Sequence, residues 1–154
     1  MFLLMLAAQI RCALPLSRVI ETLRPLPVEP VREVGGVQVG LARIRGEPVP
    51  VLELAELLGA GRGAPTRLVT LRIGEGAGEG AGARRVALAV DAVLGLAELP
   101  LGDLPPLLRE SPGLAGLTQL DAELVRVLDA GCLVPPEVWE ALGAAGQVGA
   151  EERA

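Results

Sequence analysis

Short apolar runs alternate with turn residues along most of this sequence, and that spacing limits the fold more than any other feature. Each run is only long enough for a strand, and glycine, proline or charged residues separate one run from the next. Several short strands in such succession are typical of an all-β sandwich or barrel. The predicted strands are Phe2–Ala8, Arg11–Leu16, Arg18–Leu23, Val37–Arg43, Pro48–Glu53, Arg67–Ile73, Arg85–Asp91, Val93–Ala97, Leu124–Leu128 and Cys132–Val134.

One helix signal is clear, at Pro135–Gly143 near the end of the chain. Proline lies at its start, acidic residues follow in the first turn, and glycine ends it. We expect Val138, Trp139 and Leu142 to form an apolar stripe that packs on the β-structure. Because no partner motif accompanies the only tryptophan, Trp139 is more simply explained as a packing residue than as a ligand-stacking platform.

At 154 residues the chain is long enough for one packed domain, which we place at residues 1–143. Residues 144–154 are expected to form a flexible tail. The stretch Gly74–Gly82 has glycine at every second position and is expected to be a mobile hairpin loop. It does not fit a phosphate-binding loop, because the third glycine of G-x-G-x-x-G is missing in every register and a β-run follows instead of a helix.

The charged residues argue against several classes of function. All 14 basic residues are arginine, and 19 acidic residues give a formal net charge of −5, with no basic patch of the kind that nucleic acids require. Histidine, lysine and tyrosine are absent. Their absence removes the commonest general base, the lysines of Schiff-base and P-loop chemistry, and most metal sites. The composition therefore disfavours an enzyme, a metalloprotein and a nucleic-acid-binding protein.

The two cysteines, Cys12 and Cys132, lie far apart inside apolar runs. They have no C-x-x-C spacing and no histidine to complete a zinc site. We expect two buried, reduced thiols, because a disulfide would need an oxidising compartment that nothing in the sequence indicates.

The mean hydropathy of +0.48 is high for a protein without membrane spans. Even so, no run reaches the roughly 18 to 20 apolar residues that cross a bilayer. The most hydrophobic piece, Met1–Ile10, lacks the basic residues that precede the apolar run of a signal peptide. We therefore expect neither a transmembrane segment nor a signal peptide.

The sequence contains a weak internal repeat. A shift of 74 positions places Arg11–Ile20 over Arg85–Leu94, where four residues are identical and three further pairs are apolar. The offset is close to half of the chain, so one interpretation is a duplicated β-unit, each copy too small to be robust alone. The other interpretation is a chance similarity between two strands.

Gly40–Leu54 resembles the signature G-V-x-N-L-R-G-x-x-x-P-V-x-D-L of the CheW-like chemotaxis coupling proteins. Ala13–Glu21 is similar to the strand that leads into the family's V-x-E element, and Val90–Val93 matches its V-D-x-V element. Leu120–Leu133 fits its closing leucine-rich strand. The resemblance covers nearly the whole chain in the family's order, which is more specific than any single element.

Three positions depart from the signature. Leu41 replaces its second apolar residue, Arg43 its asparagine, and Glu53 its aspartate. The loss of the asparagine removes a side chain that could accept a hydrogen bond in a turn, which arginine cannot do.

The resemblance implies an all-β fold of two packed five-stranded SH3-like barrels with a short C-terminal helix. It also implies a cytoplasmic, non-catalytic adaptor without a cofactor. Such an adaptor couples the signalling tip of a methyl-accepting chemoreceptor to the regulatory domain of a CheA-type histidine kinase. An adaptor must expose apolar surface bordered by charges, which agrees with the hydropathy of this chain.

The resemblance also assigns partner binding to six residues, which are Val19, Glu21, Arg45, Gly46, Val90 and Val93. Val19 and Glu21 would lie on the receptor-facing side, and Val90 and Val93 would line a groove between the barrels. Arg45 would brace a turn and reach the interface, since its planar fork can hold two acceptors. Gly46 would supply a turn conformation that a side chain obstructs.

Each assignment has a structural alternative. The three valines fit equally well as core residues. Arg45 fits one half of an exposed ion pair, and Glu21 fits a solvated strand charge.

Two other function classes stay open at this point. A small-molecule-binding β-barrel module would hold its ligand in an apolar cleft. An enzyme is the weakest alternative, and it would depend on Glu53 and Glu56, or on a cysteine nucleophile without a histidine base.

Overall fold

The computed structural model of the chain describes residues 1–73, 84–100 and 113–141. The described residues include a 3-10 turn at Leu16–Arg18, a one-turn helix α1 at Leu54–Leu57 and a helix α2 at residues 136–141. The predicted loop at Gly74–Gly82 and the predicted tail at 144–154 lie outside the described residues. The strands are β1 (Phe2–Ala7), β2 (Ile10–Pro15), β3 (Val19–Leu23), β4 (Glu29–Val34), β5 (Val37–Ile44), β6 (Glu47–Glu53), β7 (Arg67–Ile73), β8 (Arg84–Val90), β9 (Ala92–Ala97), β10 (Leu114–Leu120) and β11 (Glu123–Leu128).

The strands form two mixed sheets. The first has the order β10-β11-β2-β1-β9, and the second has the order β3-β7-β8-β6-β5-β4. In each sheet one neighbouring pair is parallel, β11 with β2 and β6 with β8. The other neighbours in the described part of the chain are antiparallel.

The predicted fold class is confirmed at the level of a mostly β protein with a short C-terminal helix. The finer prediction of two five-stranded barrels is not confirmed. The second sheet has six strands, and among the described residues neither sheet closes on itself. Barrel closure therefore stays a prediction.

The two sheets repeat the same register, and the repeat accounts for the offset seen in the sequence. Val19 on β3 is opposite Leu71 of β7, and Val93 on β9, 74 positions after Val19, is opposite Met5 of β1. The strand that follows β1 and β2 in the chain, β3, thus lies at the edge of the second sheet, and the strand that follows β7 and β8, β9, lies at the edge of the first sheet. This exchange ties the two units together, because neither sheet is complete without a strand that follows the other sheet's central hairpin.

The largest apolar cluster draws on both sheets. It contains Met5 and Cys12 from the first sheet and Leu71 and Leu88 from the second, all fully buried. Burial of such side chains stabilises the folded state by about 1.5–3 kcal/mol each. Helix α2 covers one side of this cluster. Its Val138 is buried and its Trp139 packs partly buried, as predicted, whereas Leu142 lies outside the described residues.

Two edge strands, β4 and β10, were not predicted. Pro30 lies inside β4, and proline within a run argues against a strand unless that strand lies at an edge, where β4 lies. The predicted strand Cys132–Val134 is wrong, because the chain turns there. The backbone N–H of Cys132 donates to the carbonyl of Asp129 at 3.1 Å, and that of Gly131 donates to the Asp129 side chain at 2.9 Å.

The cysteine prediction holds for one residue only. Cys12 is buried on β2, and burial raises the pKa of its thiol to about 12. Cys132 is exposed, contrary to the prediction, because it lies in the turn that follows β11. Both are free thiols.

Asp91 joins three parts of the fold at the junction of β8 and β9. Its backbone N–H donates to the carbonyl of Leu6 at 2.8 Å. Its carboxylate accepts hydrogen bonds from the backbone N–H groups of Ala8 and Ala64, each at 3.1 Å. The aspartate of the V-D-x-V element therefore fixes the β1–β2 turn and the loop before β7, which is a structural role.

Candidate partner-binding surface

The turn between β5 and β6 consists of Arg45 and Gly46. Both have positive φ, 54° and 80°, and Ile44 pairs with Glu47 across the turn, as in two-residue hairpins. A Cβ on Gly46 would meet no atom within 4 Å, so what matters at this position is backbone conformation and not space. The hairpin therefore presents the Arg45 side chain at its tip.

Arg45 binds Glu21 with both ends of its fork. Its Nη2 donates to Oε1 at 2.7 Å, and its Nε donates to Oε2 at 3.3 Å. Glu21 lies on β3, which β7 and β8 separate from β6 in the sheet order. Three spacings in a flat sheet would keep β3 and β6 about 14 Å apart. The two side chains together bridge strands that are three places apart in the sheet order.

Thr70 holds the backbone of Glu21 in place. Its buried hydroxyl accepts from the Glu21 N–H at 3.2 Å and donates to the Glu21 carbonyl at 3.3 Å. The register of β3 against β7 shifts between Val19 and Glu21, which leaves Ile20 as a bulge. A bulge of this kind re-aims the side chains beside it, and here the next residue is the one that meets Arg45.

The ion pair perturbs both partners. The hydrogen bond from Arg45 holds the pKa of Glu21 below its usual value, and the same bond raises the pKa of Arg45. The Arg45 side chain is 69% exposed, so a partner molecule can reach it while the pair is intact. An exposed ion pair of this type contributes little to folding by itself.

The three predicted valines have different surroundings. Val19 and Val93 are partly buried and pack against the central apolar cluster from the two exchanged edge strands. Val90 has no exposed surface and belongs to that cluster. Val90 was predicted to line a groove between the barrels; its side chain is covered, because β8 is an inner strand, and its part in partner binding stays a prediction.

Sequence reasoning missed the exposed apolar side chains of the exchanged edge strands. Ile20 on β3 is 36% exposed, and Leu94 and Leu96 on β9 are 46% and 56% exposed. Ile20 and Leu94 are each the bulged residue of their strand. The internal repeat in the sequence already indicated that Ile20 and Leu94 are equivalent, because its two aligned segments end on these residues. We call Val19, Ile20, Glu21, Arg45, Val93 and Leu94 the edge-strand surface.

The edge-strand surface combines exposed apolar side chains with one ion pair. Such a pair can set the register of a partner. Among the described residues no group of three or more His, Cys, Asp or Glu side chains gathers in a way that could hold a metal ion. In the same residues no helix is long and apolar enough to cross a membrane.

Comparison with known proteins points to one family. The family model of the CheW-like domain matches residues 1–135. Among solved structures, the fold is similar to that of the scaffolding protein TtCheW from Thermoanaerobacter tengcongensis, with a TM-score of 0.68 and 19% sequence identity. That alignment covers 87% of this chain and 91% of the other. A comparison with curated proteins found no match.

The family match extends over most of the chain and includes both sheets. It also includes the Arg45–Gly46 turn, its ion-pair partner Glu21 and the structural aspartate Asp91. On this evidence the chain belongs to the family of CheW-like domains, whose members are scaffolding and adaptor proteins.

Proposed function

We propose that this chain is a non-catalytic, cytoplasmic adaptor of a bacterial chemosensory pathway. In this role it couples the signalling tip of a methyl-accepting chemoreceptor to the regulatory domain of a CheA-type histidine kinase. Membership of the CheW-like family supports the general role of a chemotaxis coupling protein. The residue-level proposal depends on the edge-strand surface.

The observation that supports the proposal best is the Glu21–Arg45 ion pair beside exposed apolar side chains. Ile20 precedes Glu21 on the same strand and is partly exposed. Exposed apolar groups supply contact area, and a bidentate charge pair discriminates between orientations of a partner. Leu94 is exposed at the equivalent bulge of β9.

The proposal assigns the receptor tip to the edge-strand surface. Val19 and Val93 pack against the central apolar cluster, and the residues that follow them, Ile20 and Leu94, expose their side chains to a partner. Arg45 is the charged anchor, because its fork can exchange one carboxylate oxygen of Glu21 for an acceptor on the partner. Gly46 acts indirectly, by allowing the turn that presents Arg45.

Co-sedimentation of the purified chain with a receptor-tip fragment and with a kinase regulatory domain tests the proposal. Arg45→Ala is expected to weaken binding of the receptor-tip fragment by about 5- to 30-fold, in the range of interface arginines. Arg43→Ala is the matched control, since Arg43 is exposed on the same hairpin two residues earlier.

Circular dichroism of both variants checks that the fold is intact. Retention of neither partner by the well-folded wild-type chain would contradict the adaptor function. Equal binding by the two arginine variants would contradict the role of Arg45 and leave the adaptor function in place.

A further inference from the structure

A cleft with a volume of about 330 Å³ opens on the second sheet. None of the residues of the edge-strand surface lines it. Its walls are mainly apolar and include Leu26, Val28, Val51, Leu68 and Ala89. Sites for small molecules are mostly apolar clefts of roughly 300–1,000 Å³ with a few polar groups at fixed places.

The chain segment over the cleft is held in position. Gly40 has no Cβ, and Val28 packs directly into the space that a Cβ would occupy. Pro25 and Pro30 flank this contact and restrict the backbone of the segment. The wall is therefore rigid before any ligand binds, which lowers the entropic cost of binding.

The opposite wall is also fixed. Pro65 lines the cleft between two anchored residues. The Ala64 N–H donates to the Asp91 carboxylate at 3.1 Å, and the Thr66 N–H donates to the Val90 carbonyl at 2.9 Å. The cleft thus depends on the same aspartate that joins the two sheets.

Glu56 brings a nearly buried carboxylate to this cleft. Its side chain is 8% exposed, and its Oε1 accepts a hydrogen bond from the Gln38 N–H at 3.2 Å. Its Oε2 lies 3.9 Å from Nε of Arg62, beyond hydrogen-bond distance. Because the Arg62 side chain is 75% exposed, that ion pair is weak, and a donor in the cleft can compete with it.

A second carboxylate, that of Glu53, also lines the cleft, and one of its oxygens accepts a hydrogen bond from the Gly63 N–H. Arg67 lines the cleft as well; its Nη1 donates to the Thr66 carbonyl at 2.7 Å, and its guanidinium keeps its charge and its other N–H donors. The lining therefore carries two carboxylates against one guanidinium, and this excess of acidic groups favours a cationic ligand over an anionic one.

We propose that this cleft binds a small amphipathic cation, with an apolar body on Val51, Leu68 and Ala89 and an ammonium or amidinium head on Glu53 and Glu56. This site is independent of partner binding by the edge-strand surface. A charged donor is favoured over a neutral one, because it adds a direct Coulomb attraction to the two carboxylates that a neutral donor lacks.

Three probes of equal shape test the proposal, namely cyclohexylmethylammonium, cyclohexylmethanol and cyclohexanecarboxylate. Each is titrated into the ¹⁵N-labelled full chain and followed by the amide NMR shifts of Val51, Leu68 and Ala89. The ammonium probe is expected to bind with a Kd on the order of 1 mM, as suits so small a ligand. The alcohol is expected to bind about tenfold more weakly, and the carboxylate more weakly still.

Two variants locate the site. Glu56→Gln keeps an acceptor for the Gln38 N–H and is expected to reduce ammonium affinity several-fold, towards that of the alcohol, because only the Glu53 carboxylate remains, with alcohol affinity unchanged. Ala89→Leu fills the cleft and is expected to abolish binding of both probes. Glu98→Gln removes an exposed acid elsewhere and should leave all affinities as in the wild type.

Three results would overturn the proposal. One is equal affinity for ammonium and alcohol, and another is stronger binding of the carboxylate. The third is the absence of saturable amide shifts at Val51, Leu68 and Ala89 at tens of millimolar probe, whether or not shifts occur outside the cleft.

Discussion

Ile20 and Leu94 occupy equivalent positions in the two sheets. Each is the bulged residue of its edge strand, Ile20 where β3 pairs with β7 and Leu94 where β9 pairs with β1. Both side chains are exposed although the residues before them, Val19 and Val93, pack on the central core. The two edge strands differ in the residue that follows the bulge. Glu21 follows Ile20 and binds Arg45, whereas Gly95 follows Leu94. The surface is thus nearly symmetric in its apolar part and asymmetric in its charge.

The ion pair predicts a pH dependence. The pKa of Glu21 is lowered by Arg45 in the folded chain, so the pair stabilises the fold above the unfolded-state pKa of Glu21, and this contribution is lost as the pH falls through the folded-state pKa. In Arg45→Ala the Glu21 pKa is expected to rise, and the stability difference from wild type is expected to vanish in acid. NMR titration of the Glu21 carboxyl carbon measures the first effect, and denaturant unfolding across the pH range measures the second. An unchanged Glu21 pKa in the variant would contradict the account.

The Arg45–Gly46 turn predicts a specific order of substitutions. Gly46→Ala is expected to destabilise the chain by about 1 kcal/mol, because a Cβ disfavours the positive φ of 80°. Gly46→Asn is the matched comparison and should cost less, since asparagine adopts this conformation more readily. Urea unfolding measures both. Equal costs for the two variants would show that space, and not conformation, limits this position.

Asp91 predicts a larger loss of stability. Removal of its carboxylate in Asp91→Ala leaves the N–H groups of Ala8 and Ala64 without their acceptor, at a cost of about 2 kcal/mol. Asp91→Asn keeps one acceptor oxygen and should lose about half as much. Glu140→Ala, an exposed acid on α2, is the control and is expected to change stability by less than about 0.5 kcal/mol. Thermal unfolding compares the three, and a neutral Asp91→Ala would exclude the bracing role.

The cysteines predict a difference in reactivity. Iodoacetamide is expected to modify Cys132 in the native chain, because that thiol is exposed. Cys12 should react only after unfolding, since burial raises the pKa of its thiol to about 12 and removes the reactive thiolate. Mass spectrometry of the modified peptides measures this. In Cys132→Ser the native chain should stay unmodified, and rapid labelling of Cys12 there would contradict its burial.

Sequence patterns located most of the strands in the described residues, including the edge strands β3 and β9. β7 and β8 were predicted with nearly their observed bounds, because their apolar residues are continuous or alternate. Two edge strands were missed, β4 because Pro30 inside it argues against a strand, and β10 because Gly116 and the polar Thr118 and Gln119 interrupt its apolar residues.

The candidate site shows a different limit. A run such as β8 is apolar on both faces, so its pattern cannot tell the buried Val90 from a surface valine. The contact of Glu21 with Arg45 joins two parts of the second sheet that are not neighbouring strands, and no local spacing in the sequence encodes it. The bulges at Ile20 and Leu94 depend on register against strands distant in sequence, although the 74-residue repeat already aligned the two positions.

Hydrogen–deuterium exchange of the chain, alone and in complex with the receptor-tip fragment, tests most directly whether the edge-strand surface binds the receptor tip. If that surface is the binding site, backbone amides of β3, β9 and the Arg45–Gly46 turn exchange more slowly in the complex than in the free chain. The double variant Ile20→Ser, Leu94→Ser, which is expected to remain folded, should lose that protection. A complex that forms without any protection of these strands would contradict the edge-strand surface as the receptor-binding site.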